Sequence, residues 1–185
     1  MKSLKEEIRR RLAESGRLLL AIDGRCGCGK SSLAAELAEA FGGNVFHLDD
    51  FYLPFDAREK NWQERPAGNM DLERFREEVL EPLQHGQAVA YRAWDCRDGR
   101  FRETREIPFR PLSIVEGSYS QHPALRTYYG LCLFVTASPE TQRARLRARE
   151  GERFPAFETL WIPLEERYFR AFRIEENAEL VIRTD

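Results

Sequence analysis

Gly24-Arg25-Cys26-Gly27-Cys28-Gly29-Lys30-Ser31 spells G-x-x-x-x-G-K-S, a spacing that can cradle phosphate. Glycines let the backbone curl round an anion without Cβ clashes, and successive N–H groups then point inward. Lys30 would reach the β- and γ-phosphates of a nucleoside triphosphate, and the Ser31 hydroxyl would ligate Mg2+. Gly24, Gly27, Gly29 and Ser32 complete the expected nucleotide-binding stretch. Phosphoryl transfer needs further groups: an acid to take the proton of the attacking hydroxyl, and oxygen ligands for the metal. Asp49-Asp50-Phe51-Tyr52 and Glu116-Gly117 are the candidates, and residues alone do not choose between Asp49 and Asp50.

Such residues work only if strands and helices bring them together. Leu18 to Ile22 has the length of a buried strand and runs straight into the loop. Ser32 to Phe41 then reads as a helix, with Leu33, Leu37 and Phe41 at helical spacing, so its N-terminal dipole faces the phosphates. Asn44 to Leu48 and Pro111 to Val115 are two further strands that end at the acids. In open α/β sheets ligands bind beyond the carboxyl ends of strands. Leu131 to Val135 and Leu180 to Ile182 supply a fourth and a fifth strand. The expected class is therefore α/β, a five-stranded parallel sheet covered by helices on both faces.

Composition narrows the function. The 29 Lys and Arg balance 31 Asp and Glu, so the net charge of −2 gives no reason to expect nucleic acid as a partner. No stretch approaches the ~20 apolar residues of a membrane span. The charged N-terminus lacks the apolar core of a secretion signal, and a cytoplasmic protein is expected. At 185 residues one domain, residues 1–185, buries roughly 70% of the unfolded surface and needs no disulfides. Cys26, Cys28, Cys96 and Cys132 show no framework spacing and are expected as free thiols, with redox control through Cys26 and Cys28 as the alternative.

Elsewhere, Ser3 to Glu14 has a capping box and an apolar stripe of Leu4, Ile8 and Leu12. Residues 53 to 70 read as a long loop, and Asp71 as the N-cap of the helix after it. Ala88 to Trp94 and Arg102 to Phe109 flank Asp98-Gly99, predicting a β-hairpin over about 88–109. Its aromatics could hold a planar substrate or simply pack. Ser138-Pro139-Glu140 starts a helix that carries Arg143, Arg145, Arg147 and Arg149. These suit a cationic lid over about 143–157 that leaves the core, with Arg147 and Arg149 as phosphate ligands. An amphipathic helix over 157–172, interrupted or restarted at Pro163, closes the pattern.

In order and type, the phosphate loop, Asp49-Asp50-Phe51-Tyr52, Glu116-Gly117-Ser118-Tyr119, the arginine-rich segment and Pro163-Leu164-Glu165-Glu166 resemble uridine kinases. More broadly, nearly the whole chain is similar to the phosphoribulokinase/uridine kinase group of P-loop kinases. The resemblance implies a P-loop NTPase fold, ATP and Mg2+ as cofactors, and transfer of the γ-phosphoryl group to a primary hydroxyl of a small molecule. In uridine kinases that is the 5′-hydroxyl of uridine or cytidine. It assigns Asp49 as general base, Lys30 as catalytic phosphate ligand, Ser31 and Glu116 as metal ligands, and Tyr91 as the hairpin tyrosine that contacts the base. Tyr52 and Asp71 fall in the implied acceptor site. One departure stands out: Cys96 occupies the position of the histidine that helps read the pyrimidine, and a thiol cannot reproduce imidazole hydrogen bonding. Another acceptor, such as nicotinamide riboside or a non-nucleoside alcohol, is therefore the alternative. A nucleotide-binding regulator with little kinase activity is the reading from another class. Room is left for a homo-oligomer.

Overall fold

The computed structural model describes residues 2–185. Five strands form one sheet: β1 (Leu18–Gly24), β2 (Asn44–His47), β7 (Leu112–Glu116), β8 (Leu131–Thr136) and β9 (Leu180–Arg183). Four further short strands lie outside it, in the hairpin described below. The spatial order is β2-β7-β1-β8-β9, and every pair is parallel. The fold class read from the sequence is thus the observed one. β7 and β8 are buried at every residue, which is why they read as continuous apolar runs rather than alternating ones.

Alternation within the strands still divides the core. Leu20, Ile22, Ile114, Leu133 and Val135 face the first helix (Lys2–Ser15) and the loop helix (Lys30–Phe41), meeting Leu4, Ile8, Leu33 and Leu37. Phe46, Val115 and Phe134 face the other way, onto Phe51, Phe75, Val79, Tyr91, Tyr168 and Phe169. Each such large side chain contributes about 1.5–3 kcal/mol when fully buried. Two helical layers are thereby fixed on the sheet, and the strand ends that carry the chemistry are held between them.

The first helix begins at Lys2, so Ser3 lies within it rather than at its N-cap. The hairpin over 88–109 forms in two pieces: β3 (Val89–Tyr91) pairs with β6 (Arg105–Ile107), and β4 (Trp94–Asp95) with β5 (Arg100–Phe101), all antiparallel. Trp94 and Phe101 meet edge to face at 5.0 Å across it. Two helices carry an internal proline, Pro82 and Pro163. Each is preceded by a wider π turn, Arg76–Leu80 and Phe157–Trp161. That turn contains the residue four before the proline, whose carbonyl the ring would otherwise strike. The helix therefore runs through Pro163 instead of stopping there.

Residues 53–70 form a loop whose ends are pinned together. Tyr52 pairs with Met70, and Leu53 N–H donates to Asn69 O at 2.9 Å. Among the described residues no helix is long and apolar enough to cross a membrane.

Candidate active site

The loop lies between the end of β1 and the first turn of the helix at Lys30. Gly29, just before that turn, has φ of +90°, a conformation that a side chain would strain. Gly27 is fixed by packing as well: a Cβ there would come within 2.9 Å of Leu146 Cγ. Leu146 belongs to the arginine-bearing helix (Pro139–Glu150) and is fully buried. That helix therefore rests on the phosphate loop and is held in the core at this point, contrary to the expectation that the segment leaves it.

Lys30 is buried and folds back over the loop. Its Nζ donates to Gly24 O at 2.7 Å and Arg25 O at 3.1 Å. Burial alone would lower its pKa, but Glu165, Asp49, Asp23 and Glu116 surround it and hold the ammonium above its usual value. Ser31 Oγ lies 3.2 Å from both carboxylate oxygens of Glu116, joining the loop to the end of β7. His47 Nδ1 is 2.5 Å from Glu116 Oε1, and that hydrogen bond raises the imidazole pKa.

Asp49 follows the end of β2, is exposed and lines the cleft. Desolvation there pushes its pKa up to about 6; Glu116, Glu165 and Asp50 push in the same direction, while Lys30 opposes them. Tyr52 places its hydroxyl 3.5 Å from Asp49 Oδ1. Asp50 is engaged elsewhere, its Oδ2 accepting from Tyr91 OH at 2.6 Å. Of the two adjacent acids, only Asp49 lines the cleft.

The cleft has a volume of about 1420 Å3. Among its lining residues are Lys30, Ser31, Ser32, Asp49, Tyr52, Glu116 and Arg149, which the sequence singled out. Gly27 and Gly29 line it too, whereas Gly24 closes β1 behind it and three further residues of that set sit elsewhere. Tyr91 is buried; its hydroxyl donates its one proton to Asp50 Oδ2 at 2.6 Å, with His47 O 3.1 Å away, and accepts from His47 N–H, so it is spent on fixing the end of β2. Asp71 caps the helix beginning at Leu72, accepting from Arg74 N–H at 3.2 Å and pairing with the Arg74 guanidinium. Arg147 stacks its guanidinium 4.7 Å from the Phe154 ring, outside the cleft. Arg145, Arg149 and Arg153 are the arginines of the segment that do line it. A helix presents alternate residues on different faces, so arginines two apart cannot all point one way.

Sequence reasoning missed two buried carboxylates. Glu165 Oε2 accepts from Cys26 N–H at 3.0 Å, and Glu165 Oε1 from Ser118 Oγ at 2.5 Å. Asp23, within β1, accepts from Gly24 N–H, Gln121 N–H and Tyr168 OH at 2.7, 2.9 and 2.7 Å. Burial pushes its pKa up to about 6 despite these three donors. Arg25 turns outward from the loop, pairing with Glu166 at 2.5 Å and Glu175 at 3.1 Å, and lying over the Phe134 and Phe169 rings. Burial raises the thiol pKa of Cys26 and Cys28, which keeps both protonated.

A scan against protein-family models finds no match, and a search of curated proteins finds none either. Solved structures do match. A Bacillus stearothermophilus protein described as a possible uridine kinase superposes with a TM-score of 0.70 at 20% identity, covering 95% of this chain and 99% of that one. A Saccharomyces cerevisiae protein, proposed as a P-loop containing kinase with a circular permutation, superposes with a TM-score of 0.74 at 11% identity, covering 100% and 99%. This chain has the P-loop kinase fold. The likeness spans both chains almost completely.

Proposed function

We propose that the chain is an ATP-dependent kinase that transfers the γ-phosphoryl group to a primary hydroxyl of a small molecule. The observation that carries this reading is one cleft lined by both Lys30 and Asp49, the latter a carboxyl with pKa near 6. A protein that only binds or hydrolyses nucleotide has no need of a base tuned close to neutrality on the acceptor side.

The residues fit the cofactors. Loop amides and the Lys30 ammonium would hold the triphosphate, replacing the contacts that Lys30 now makes with loop carbonyls. Ser31 and Glu116 offer hard oxygen ligands, which suit Mg2+ when water and phosphate oxygens complete its shell. Bound Mg2+ would supply charge neutralisation at the phosphates. Asp49 accepts the proton of the acceptor hydroxyl, and Tyr52 orients Asp49. Arg149 and Arg153 offset charge that spreads over the transferring group.

Of the acceptors considered, a non-pyrimidine alcohol is favoured over uridine and cytidine. Tyr91 has its hydroxyl fully engaged within the protein, and Cys96 stands where a histidine would read the base. Release of ADP from ATP across a panel of primary alcohols tests both points. Turnover of uridine or cytidine at rates matching the best acceptor would overturn the acceptor preference. Nucleotide binding without acceptor-dependent ADP release would overturn the kinase reading.

A further inference from the structure

The loop over 53–70 helps to build a cage of which the catalytic reading uses only Tyr52. The Arg58 guanidinium lies 4.6 Å from the centroid of Phe55, 5.3 Å from Trp62 and 5.9 Å from Tyr52. Trp161, from the last long helix, closes on the same rings, 6.3 Å from Trp62 and 6.5 Å from Tyr52. Arg58, Phe55, Tyr52 and Trp161 all line the cleft, and Tyr52 is the residue that reaches Asp49.

Arg58 is under-used. Its Nε donates to Leu53 O at 3.1 Å, which orients the group and leaves both Nη atoms free. Among the described residues no carboxylate lies within ion-pair distance of it, in a chain where most buried or half-buried arginines have one. Stacking on aromatic faces stiffens a guanidinium without neutralising it. Phe55 is 60% exposed, so a large ring is held at the cleft wall with its outer face unpaired.

Resting on the kinase reading, we infer that the acceptor is an alcohol carrying an anionic group, a carboxylate or a phosphate, attached to a flat or apolar body. The anion pairs with the two free Nη groups of Arg58, the body lies against Phe55 and Trp161, and the hydroxyl reaches Asp49. A neutral nucleoside would leave the guanidinium unpaired in the closed complex.

A matched set of probes tests this: 4-(hydroxymethyl)benzoate, 4-(hydroxymethyl)phenyl phosphate and the neutral 4-(hydroxymethyl)benzamide. Each is titrated against the full chain in saturating MgADP, which fills the phosphate loop, with Trp62 and Trp161 fluorescence as the readout. At least one anion is expected to bind about tenfold more tightly than the amide. Comparing the two anions separates a carboxylate from a phosphate site. Arg58→Gln should erase the preference, and Arg58→Lys, which keeps the charge, should retain part of it. Equal affinity for all three probes, no saturable change with either anion, or a preference that survives in Arg58→Gln would each overturn the inference. Release of ADP from ATP with the same probes is scored separately. Anion binding without turnover would sustain the site and count against the kinase reading alone.

Discussion

Glu165 Oε2 accepts the Cys26 backbone N–H at 3.0 Å, so a carboxylate from the last long helix sits on the phosphate loop. An ATP oxygen that seeks the same amide must displace or face that charge. Glu165→Gln is therefore expected to bind ATP more tightly, by roughly tenfold, or about 1.4 kcal/mol. Titration with a fluorescent ATP analogue measures it; weaker binding would show that Glu165 instead shapes the loop for nucleotide.

Asp49→Asn should keep the fold and ATP affinity while losing acceptor-dependent turnover by roughly 10²–10⁴-fold, the usual worth of a positioned base. Wild-type rates in that variant would remove Asp49 from the chemistry.

The pH profile follows from the same group. Its pKa, pushed up to about 6 by desolvation, leaves Asp49 protonated and unable to accept a proton at lower pH. The acceptor kcat/KM should thus rise with pH through about 6 and then level. A profile flat between pH 5 and about 7.5 would contradict the assignment.

Asp23→Ala would strand three donors, those of Gly24, Gln121 and Tyr168, in the interior. A loss of about 3–5 kcal/mol in urea unfolding is expected. The folded pKa of about 6 lies above the ordinary carboxylate value, so the group's contribution is full below about pH 4. It declines as pH rises through 6, and the deficit of the variant should shrink across that window.

Thiol labelling provides another check. Cys96 is exposed, whereas Cys28 and Cys132 are buried and the Cys26 thiol is held protonated. Iodoacetamide at neutral pH should modify Cys96 first, with ATP binding intact. Fast labelling of Cys26 with loss of binding would revive redox control of the loop.

Much of this was legible from residues alone, because it depends on local pattern. The phosphate loop, the five strands of the sheet and the acids at the ends of two of them are contiguous signals, each generated by neighbours in sequence. Ser138 capping its helix and Asp71 capping another are of the same kind. What escaped were partners distant in sequence. Nothing near Glu165 says that it meets Cys26, 139 residues away, and nothing near Asp23 announces Tyr168. Tyr91 shows the opposite failure: the resemblance placed it correctly in the hairpin, but its hydroxyl turned to Asp50. Arg58 gave no signal in a charged loop, since its meaning lies in three rings that only folding assembles.

The outward turn of Arg25 bears on how this chain can vary. Its position in the loop is one of the unrestricted ones, where phosphate binding alone would tolerate any side chain. Here the side chain is committed to Glu166, 141 residues further on, and to Glu175. A substitution at either end leaves a half-buried charge without its counterpart, so change at one site favours change at the other. Among descendants of this sequence, positions 25 and 166 should drift as a couple, and a chimera joining an N-terminal half to a foreign C-terminal half should fail first at that contact.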